Sequence, residues 1–382
     1  MAVTNLIILG GGLAGGLCAL ALKHRRPDLS VTLVDRGETL GGNHVWSFFD
    51  SDIAPEDRHL VNPFVVQRWV CNAVRFPAMK RTFDAAYNSM TSERFDRELK
   101  ARLDPDQIVT GNVIHATPTT VRMEGGVQLE AAAVLDARGL TEPPKGLKCG
   151  WQKFVGQMLE VEGGHGLTVP IIMDAAVDQS DGYRFVYCLP FDEKRIFVED
   201  TYYEKNFALV ERKLARRIAD YATQQGWEHH RVTHDEKGVL PVVMSGDFDT
   251  FWPPRDTLAR AGTRGGFFHP LTSYSVPEAV RLAAWLAETM PIPGEKLGKL
   301  TRARAARIWK RTAFDRGLAR MLFDAADPPD RYKIMEHFYR LPAGLIERFY
   351  AGKSTLIDRA RILIGKPPAS IPRAIRALRG IA

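Results

Sequence analysis

Two hydrophobic periods run along the chain and predict its elements. Residues 5–9 form a short apolar run ending in glycines, residues 13–25 have helical composition, and residues 30–35 form a β-branched strand. Together they read as a βαβ unit. Phe95, Leu99 and Leu103 recur every fourth position, which predicts an amphipathic helix over 92–103 with Ser92 as its cap. Short strand-like runs between 109 and 134 surround Gly125-Gly126 and lead into an apolar strand over 134–139. Residues 183–189 and 195–202 alternate with period two across Pro190-Phe191-Asp192-Glu193, which predicts a hairpin. Residues 208–225 and 277–290 read as helices, with Pro253-Pro254 marking a boundary between them. Beyond Gly298 the pattern is helical throughout. Phe314, Leu318, Met321 and Leu322 share one face, and a further helix begins at Pro342 and ends near Gly352.

Composition adds a bound and a polarity. At 382 residues, 45% hydrophobic and 25% charged, the chain can bury a large core in two or three domains. The net charge of +7 is concentrated near the C-terminus: residues 296–320 carry nine Lys/Arg against Asp315, and residues 353–382 carry seven against Asp358. The rest of the chain is therefore net acidic. Cys18, Cys71, Cys149 and Cys188 are widely spaced, which argues against a metal site and a disulfide scaffold and fits a reducing compartment. The apolar stretch 6–22 is short for a membrane span and holds five glycines between Gly10 and Gly16, and no basic segment precedes it. Any membrane contact is expected to be peripheral. Arg373, Arg376 and Arg379 alternating with Ile375 and Leu378 suit an anionic membrane surface, or a solvated helix; no nucleic-acid module accompanies them.

Three segments suit a dinucleotide. Gly10-Gly11-Gly12-Leu13-Ala14-Gly15 lies between strand and helix, with Asp35 and then Arg36 closing the second strand. Glycines admit the pyrophosphate to the helix N-terminus and the acid holds a ribose hydroxyl, although glycines also serve plain helix–strand contact. Asp136-Ala137-Arg138-Gly139 ends the later apolar strand, where a third parallel strand would meet the same cofactor edge. Gly265, Gly266, Phe267, His269, Pro270, Thr272 and Ser273 precede a helix and suit close backbone approach to a phosphate or a flavin ring. Three such segments in this order favour FAD over NAD.

The hairpin's second strand carries an acid pair, Glu199-Asp200, among Phe197, Val198, Tyr202 and Tyr203. Desolvation lets such a carboxyl keep its proton. Taken alone, a strand-end salt bridge explains the pair as well. Alternation puts Glu199 with Arg195 and Phe197, and Asp200 with Ile196 and Val198, so only one acid faces a given cavity. Glu199 is the expected inward acid and Asp200 its support. Tyr183, Phe185 and Tyr187 share a face of the partner strand, where aromatic rings stabilise a desolvated cation by about 2 kcal/mol, or simply fill a core.

These residues also carry a resemblance. The glycine motif, GWQKFVGQ at 150–157, Ile172-Met173-Asp174, FVEDTYY at 197–203, EKGVLP at 236–241, GGFFHPLTSYS at 265–275, LIERFYAG at 345–352 and RILIGKPP at 361–368 resemble the bacterial-type lycopene beta-cyclase family over nearly the whole chain. One departure is Ser273, where many relatives have glycine. The resemblance implies a flavoprotein that folds the linear ends of lycopene and other acyclic carotenoids into β-rings, giving β-carotene via γ-carotene without net redox change. It implies reduced FAD, with NAD(P)H as electron source, the acid at Glu199 with Asp200 beside it, and a further acidic position at Asp174. Such chemistry needs a proton delivered to a C=C, attack by the next C=C on the cation, and loss of a ring proton, all in a dry site.

The expected architecture is α/β: a Rossmann-like FAD-binding domain of the glutathione-reductase/hydroxybenzoate-hydroxylase kind at 1–60, 87–149 and 255–290. A sheet-rich substrate domain at 61–86 and 150–254 is interleaved with it, and a helical, basic, membrane-facing region occupies 291–382. The expected location is cytoplasmic, at the inner face of the cell membrane, in contact with other carotenoid-pathway enzymes. The rival readings are an FAD-dependent monooxygenase or dehydrogenase acting on an apolar isoprenoid, and a carotenoid binder without turnover.

Overall fold

The structure is a computed structural model and describes residues 4–364 and 370–380. Gly365, Lys366 and Pro367-Pro368 of the last sequence motif lie outside the described residues. A seven-stranded sheet runs in the order Ile108–Thr110, Val31–Asp35, Thr4–Leu9, Gln128–Asp136, Thr120–Met123 and Val113–Ala116, with Ala259–Arg260 added beside Gln128–Asp136. Leu6 pairs in parallel with both Val31 and Ala133, so the first strand is central. Parallel strands are covered on both faces and read as continuous apolar runs. Leu6, Ile7, Ile8 and Leu9 accordingly are all buried. The helix Leu13–Arg25 packs between this sheet and the helix Val276–Thr289. The chain turns one way from the central strand to Val31–Asp35 and the other way to Gln128–Asp136. Ligands of open α/β sheets sit in the crevice at such a switch point.

A second seven-stranded sheet runs His230–Gly246, Leu147–Val161, Arg195–Glu204, Arg184–Pro190, Ile171–Asp174, Asn72–Phe76 and Met79–Phe83. The predicted hairpin is present, with Tyr187 opposite Glu199. One face is covered by the helix Glu211–Gln224 through Leu214, Ile218 and Tyr221. The other face meets C-terminal helices through Leu318, Leu322, Phe323, Phe338 and Phe349. The strand alternation is resolved cleanly here: Ile196 and Val198 go to the first face, Phe197 and Tyr203 to the second. A small sheet of Val45–Phe49, Tyr87–Thr91 and Val65–Trp69 closes over the second face.

Two local expectations differ from the structure. Thr91 rather than Ser92 caps the helix Ser92–Arg102, its hydroxyl accepting from the Arg94 N–H at 3.3 Å. The helix expected from 208 starts at Glu211. Asn206 holds the Ala208 N–H at 3.0 Å, and the buried Lys153 ammonium takes the Ala208 carbonyl at 2.6 Å, so the segment stays extended.

Candidate active site

The three glycine-bearing segments come together at the switch point. A Cβ on Gly10 would stand 2.8 Å from the Ala137 carbonyl oxygen, one on Gly15 would run into the Gly10 carbonyl, and one on Gly262 would touch Ala14 at 3.0 Å. Gly10 also has φ +97°, which only glycine adopts without strain. A Cβ on Gly12, by contrast, meets nothing within 4 Å. Gly12 caps the helix Leu13–Arg25 without a side-chain acceptor, and no acid stands in the first turn. That leaves a bare, positively polarised helix end facing open space, which is what a pyrophosphate requires. The residues fit an FAD cradle.

The acids around the cradle are already engaged. Asp35 accepts from the Gly11 N–H at 2.6 Å and the Gly37 N–H at 2.9 Å, which fixes the turn beside the site, while Arg36 is exposed. Asp136 is buried and clamped by Arg138 (2.9 and 2.7 Å) and Arg264 (2.7 Å). Arg138 also donates to the Val113 carbonyl at 2.9 Å, so it binds the loop ending at Gly139 into the fold.

The segment 265–274 connects the cradle to the second sheet. Gly266 turns with φ +76°, and Phe267 is fully buried in the core below. The Pro270 carbonyl accepts from the Val243 N–H at 2.8 Å, and Ser273 Oγ donates to the Pro241 carbonyl at 2.8 Å. The turn is closed by Ser273 N–H to the His269 carbonyl (2.8 Å) and by a weaker bond from Tyr274 N–H to Thr272 Oγ1 (3.4 Å). Ser273 takes φ +55°, the one non-glycine residue with positive φ among those described. The departure noted in the sequence thus falls on a left-handed position. The side chain of His269 turns inward, its ring 4.6 Å from Phe349 and its Nδ1 accepting from the Leu271 N–H at 3.3 Å. Burial pushes it down to about 3, so it is a neutral imidazole that shapes the loop from inside.

The three candidate acids part company across the second sheet. Asp200 faces the helix-covered side, where Arg184 Nε binds both its oxygens at 3.1 and 2.9 Å. Burial pushes its carboxyl up and the guanidinium partly offsets this. Asp174 lies on the same side, accepting from Tyr221 Oη at 2.9 Å and lying 3.5 Å from Arg75 Nη1. Both have polar partners and face away from Glu199. Glu199 faces the aromatic side, half-buried, its Oε1 receiving the Thr201 hydroxyl at 2.5 Å. Tyr187 stands opposite it in register, hydrogen-bonded to Tyr87. Tyr183, Phe185, Phe197 and Tyr203 belong to the same cluster. Burial pushes the Glu199 carboxyl above the usual carboxylate range.

Sequence reading missed Glu236 as a site residue, although its motif was noted. In register, Gly156 pairs with Glu199 on one side and with Glu236 on the other, so the two acids share a row. Strand patterning held the signal: Glu236 is an acid 2% exposed between the exposed Asp235 and Lys237. Only the strand order, with residues 147–161 between the two, makes it meaningful.

Comparison with known proteins gives the family and the fold. The profile of the lycopene cyclase protein family matches residues 5–376. The chain is 41% identical over 373 residues to a lycopene beta-cyclase of Pseudescherichia vulneris, covering 98% of this chain and 96% of that one. It is 41% identical over 374 residues to a lycopene beta-cyclase of Pantoea ananas, covering 98% and 97%. Among solved structures, a geranylgeranyl bacteriochlorophyll reductase-like protein of Thermoplasma acidophilum superposes with a TM-score of 0.64 at 11% identity, over 99% of this chain and 98% of that one. The p-nitrophenol 4-monooxygenase of Pseudomonas putida superposes with a TM-score of 0.61 at 15% identity, over 94% and 97%. These two share the fold, an α/β architecture with a Rossmann-like FAD domain. With the match running through almost its whole length, the chain belongs to the lycopene cyclase family.

Proposed function

We propose that the protein converts the linear ends of lycopene into β-rings by acid-initiated cyclisation, with Glu199 as the proton donor and reduced FAD as cofactor. The observation that carries this reading is the setting of Glu199. It is a carboxyl without a cationic partner among the described residues, pushed up to about 7 by burial, with Tyr187 opposite it and Phe197 and Tyr203 on the same face of its strand. An alkene is a very weak base, so its proton must come from an acid that water does not level. Gly10, Gly12, Gly15, Gly139 and Gly262 would hold FAD by its pyrophosphate at the bare helix end, and Pro270 and Ser273 would fix the loop beside its ring. Bound and reduced, the flavin would supply an electron-rich surface near the cationic centre, with NAD(P)H as the source of its electrons. Tyr187 and Tyr203 keep their protons, since burial pushes both up, and they present neutral ring faces to a developing cation.

The substrate is a hydrocarbon that resides in a bilayer, and one end of the molecule suits a membrane surface. Leu356 and Ile357 are 80% and 82% exposed at the start of the helix Leu356–Leu363, and Ile364, Ile371 and Ile375 are also exposed. Arg359, Arg361, Arg373, Arg376 and Arg379 stand among them. Apolar tips with basic neighbours suit peripheral docking on anionic lipid. Of the two apolar positions expected on the last helix, Ile375 is exposed but Leu378 packs onto Gly317.

Product mass tests the function. Lycopene, FAD and NADPH incubated with the protein under anaerobic conditions should give an isomer of unchanged mass with a β-carotene spectrum. A product heavier by one oxygen, lighter by two hydrogens, or dependent on O₂ would overturn it.

A further inference from the structure

Glu236 is an acid that the reading above does not use. Residues paired directly across adjacent strands point to the same face, so Glu199, Gly156 and Glu236 present one acid, a gap and a second acid in a single row. Strands lie about 4.8 Å apart, and two glutamate side chains can meet across one intervening strand only if nothing rises from it. A Cβ at Gly156 would stand 3.1 Å from Glu236 Cγ and 2.3 Å from Phe197 Cζ. Glu236 Oε2 accepts from the Val45 N–H at 2.6 Å, and the only basic group in ion-pair reach among the described residues is His44, at 3.9 Å. Asp200, by contrast, has a full guanidinium to itself. A buried and a half-buried carboxyl side by side, with no cation between them, resist ionising together.

We propose that Glu199 and Glu236 form one carboxyl pair holding a single shared proton at neutral pH, with Glu236 the positioning residue that keeps that proton within reach of Glu199. The proposal rests on the cyclase reading of Glu199. In the reaction, the Glu199 O–H bond breaks as a C–H bond forms on the CH carbon of the terminal alkene, leaving a tertiary cation on its dimethyl carbon and the pair doubly ionised opposite it. Ring closure follows. Loss of a proton from the ring carbon forms the ring C=C and restores an O–H bond on the pair. The accepting and releasing carbons are bonded to the same ring carbon, so one site serves both, and no electrons are exchanged.

The surroundings leave the pair as the group that titrates here, with two exceptions. Burial pushes both carboxyls up; Glu199 raises Glu236 further, while hydrogen bonds with Thr201 and Glu236 pull Glu199 part of the way back. Tyr187, Tyr203 and Tyr87 facing Glu199 are held protonated by burial. Asp200, behind the sheet, is bound to Arg184. Burial pushes the His44 imidazole down, so it adds no charge at neutral pH. The exceptions are His234, raised by its partner Glu93 at 3.0 Å, and Asp52, pushed up to about 7 by burial beside Tyr274; His234→Gln and Asp52→Asn remove them as controls.

The test is the pH profile of kcat/KM for FAD-loaded wild type and Glu236→Gln on lycopene in liposomes. Glutamine keeps an oxygen for the Val45 N–H but offers Glu199 an N–H that favours its ionised form. The alkaline limb should move down by about one pH unit or more, so turnover near pH 8 falls about tenfold while turnover near pH 6 stays within about twofold. A profile parallel to wild type, unchanged or uniformly lowered, overturns the proposal. Thermal stability gives a reading without turnover. A carboxyl whose folded value is raised contributes most at low pH and loses that contribution as pH rises from about 4.3 towards its folded value. Wild type should show this loss and Glu236→Gln a smaller one; superimposable curves also overturn the pair. A wild type inactive on lycopene overturns the cyclase reading instead.

Discussion

Glu199 and Asp200 are adjacent in the chain and opposite in circumstance. One has aromatic neighbours and no cation; the other has a bidentate guanidinium. Their substitution should therefore fail in different ways. Glu199→Gln removes the acid and keeps the shape, so cyclisation should fall by about 10²–10⁴-fold while flavin absorbance and the melting temperature hold. Asp200→Asn strands Arg184 without its charge partner in the interior and should cost about 3–5 kcal/mol of stability, visible in denaturant unfolding whatever happens to the rate. Sequence alternation was enough to separate these two acids, because period-two patterning is a property of one strand. It could not reach Glu236, whose partner sits two strands away. Nor could it show Asp174 turned from the aromatic face, because Asp174 follows an irregular register between Ile171 and Asp174.

At the scale of elements, the βαβ start was legible to within a residue or two because parallel-strand burial and glycine geometry are both local. Boundaries set by distant groups were not: the helix at Glu211 begins where Lys153 lets it. The helix Leu13–Arg25 offers a decoupling experiment. Gly12 has extended backbone angles that any residue can adopt, and open space before it. Gly12→Asp would cap the helix, adding about 0.5–2 kcal/mol to the cofactor-free protein, while placing a negative charge where the pyrophosphate must lie. A raised melting temperature with FAD affinity lowered at least about tenfold, by fluorescence titration, is the expected outcome.

At the scale of the molecule, charge and exposed apolar groups gather at one end of the chain, while the acid pair sits in the second sheet. Replacing Leu356 and Ile357 together by Asp should lower partition onto anionic vesicles by about two orders of magnitude, since each buried side chain contributes about 1.5–3 kcal/mol. Turnover of detergent-dispersed lycopene by the same variant should stay near wild type. The basic character of this end was plain in the sequence. Which apolar residues are free was not, because Leu378 and Ile375 have the same helical spacing relative to the arginines and only packing against Gly317 separates them.

The gap at Gly156 has a consequence for how this centre can be explored. A residue with no functional group stands between the two acids and sets how near they come. A saturation scan ranked by lost turnover should therefore place Gly156 beside Glu199, and substitutions there should be irreparable by changing either acid. The absent side chain makes room for the end of the Phe197 ring and for Glu236, and that close fit is itself a component of the chemistry.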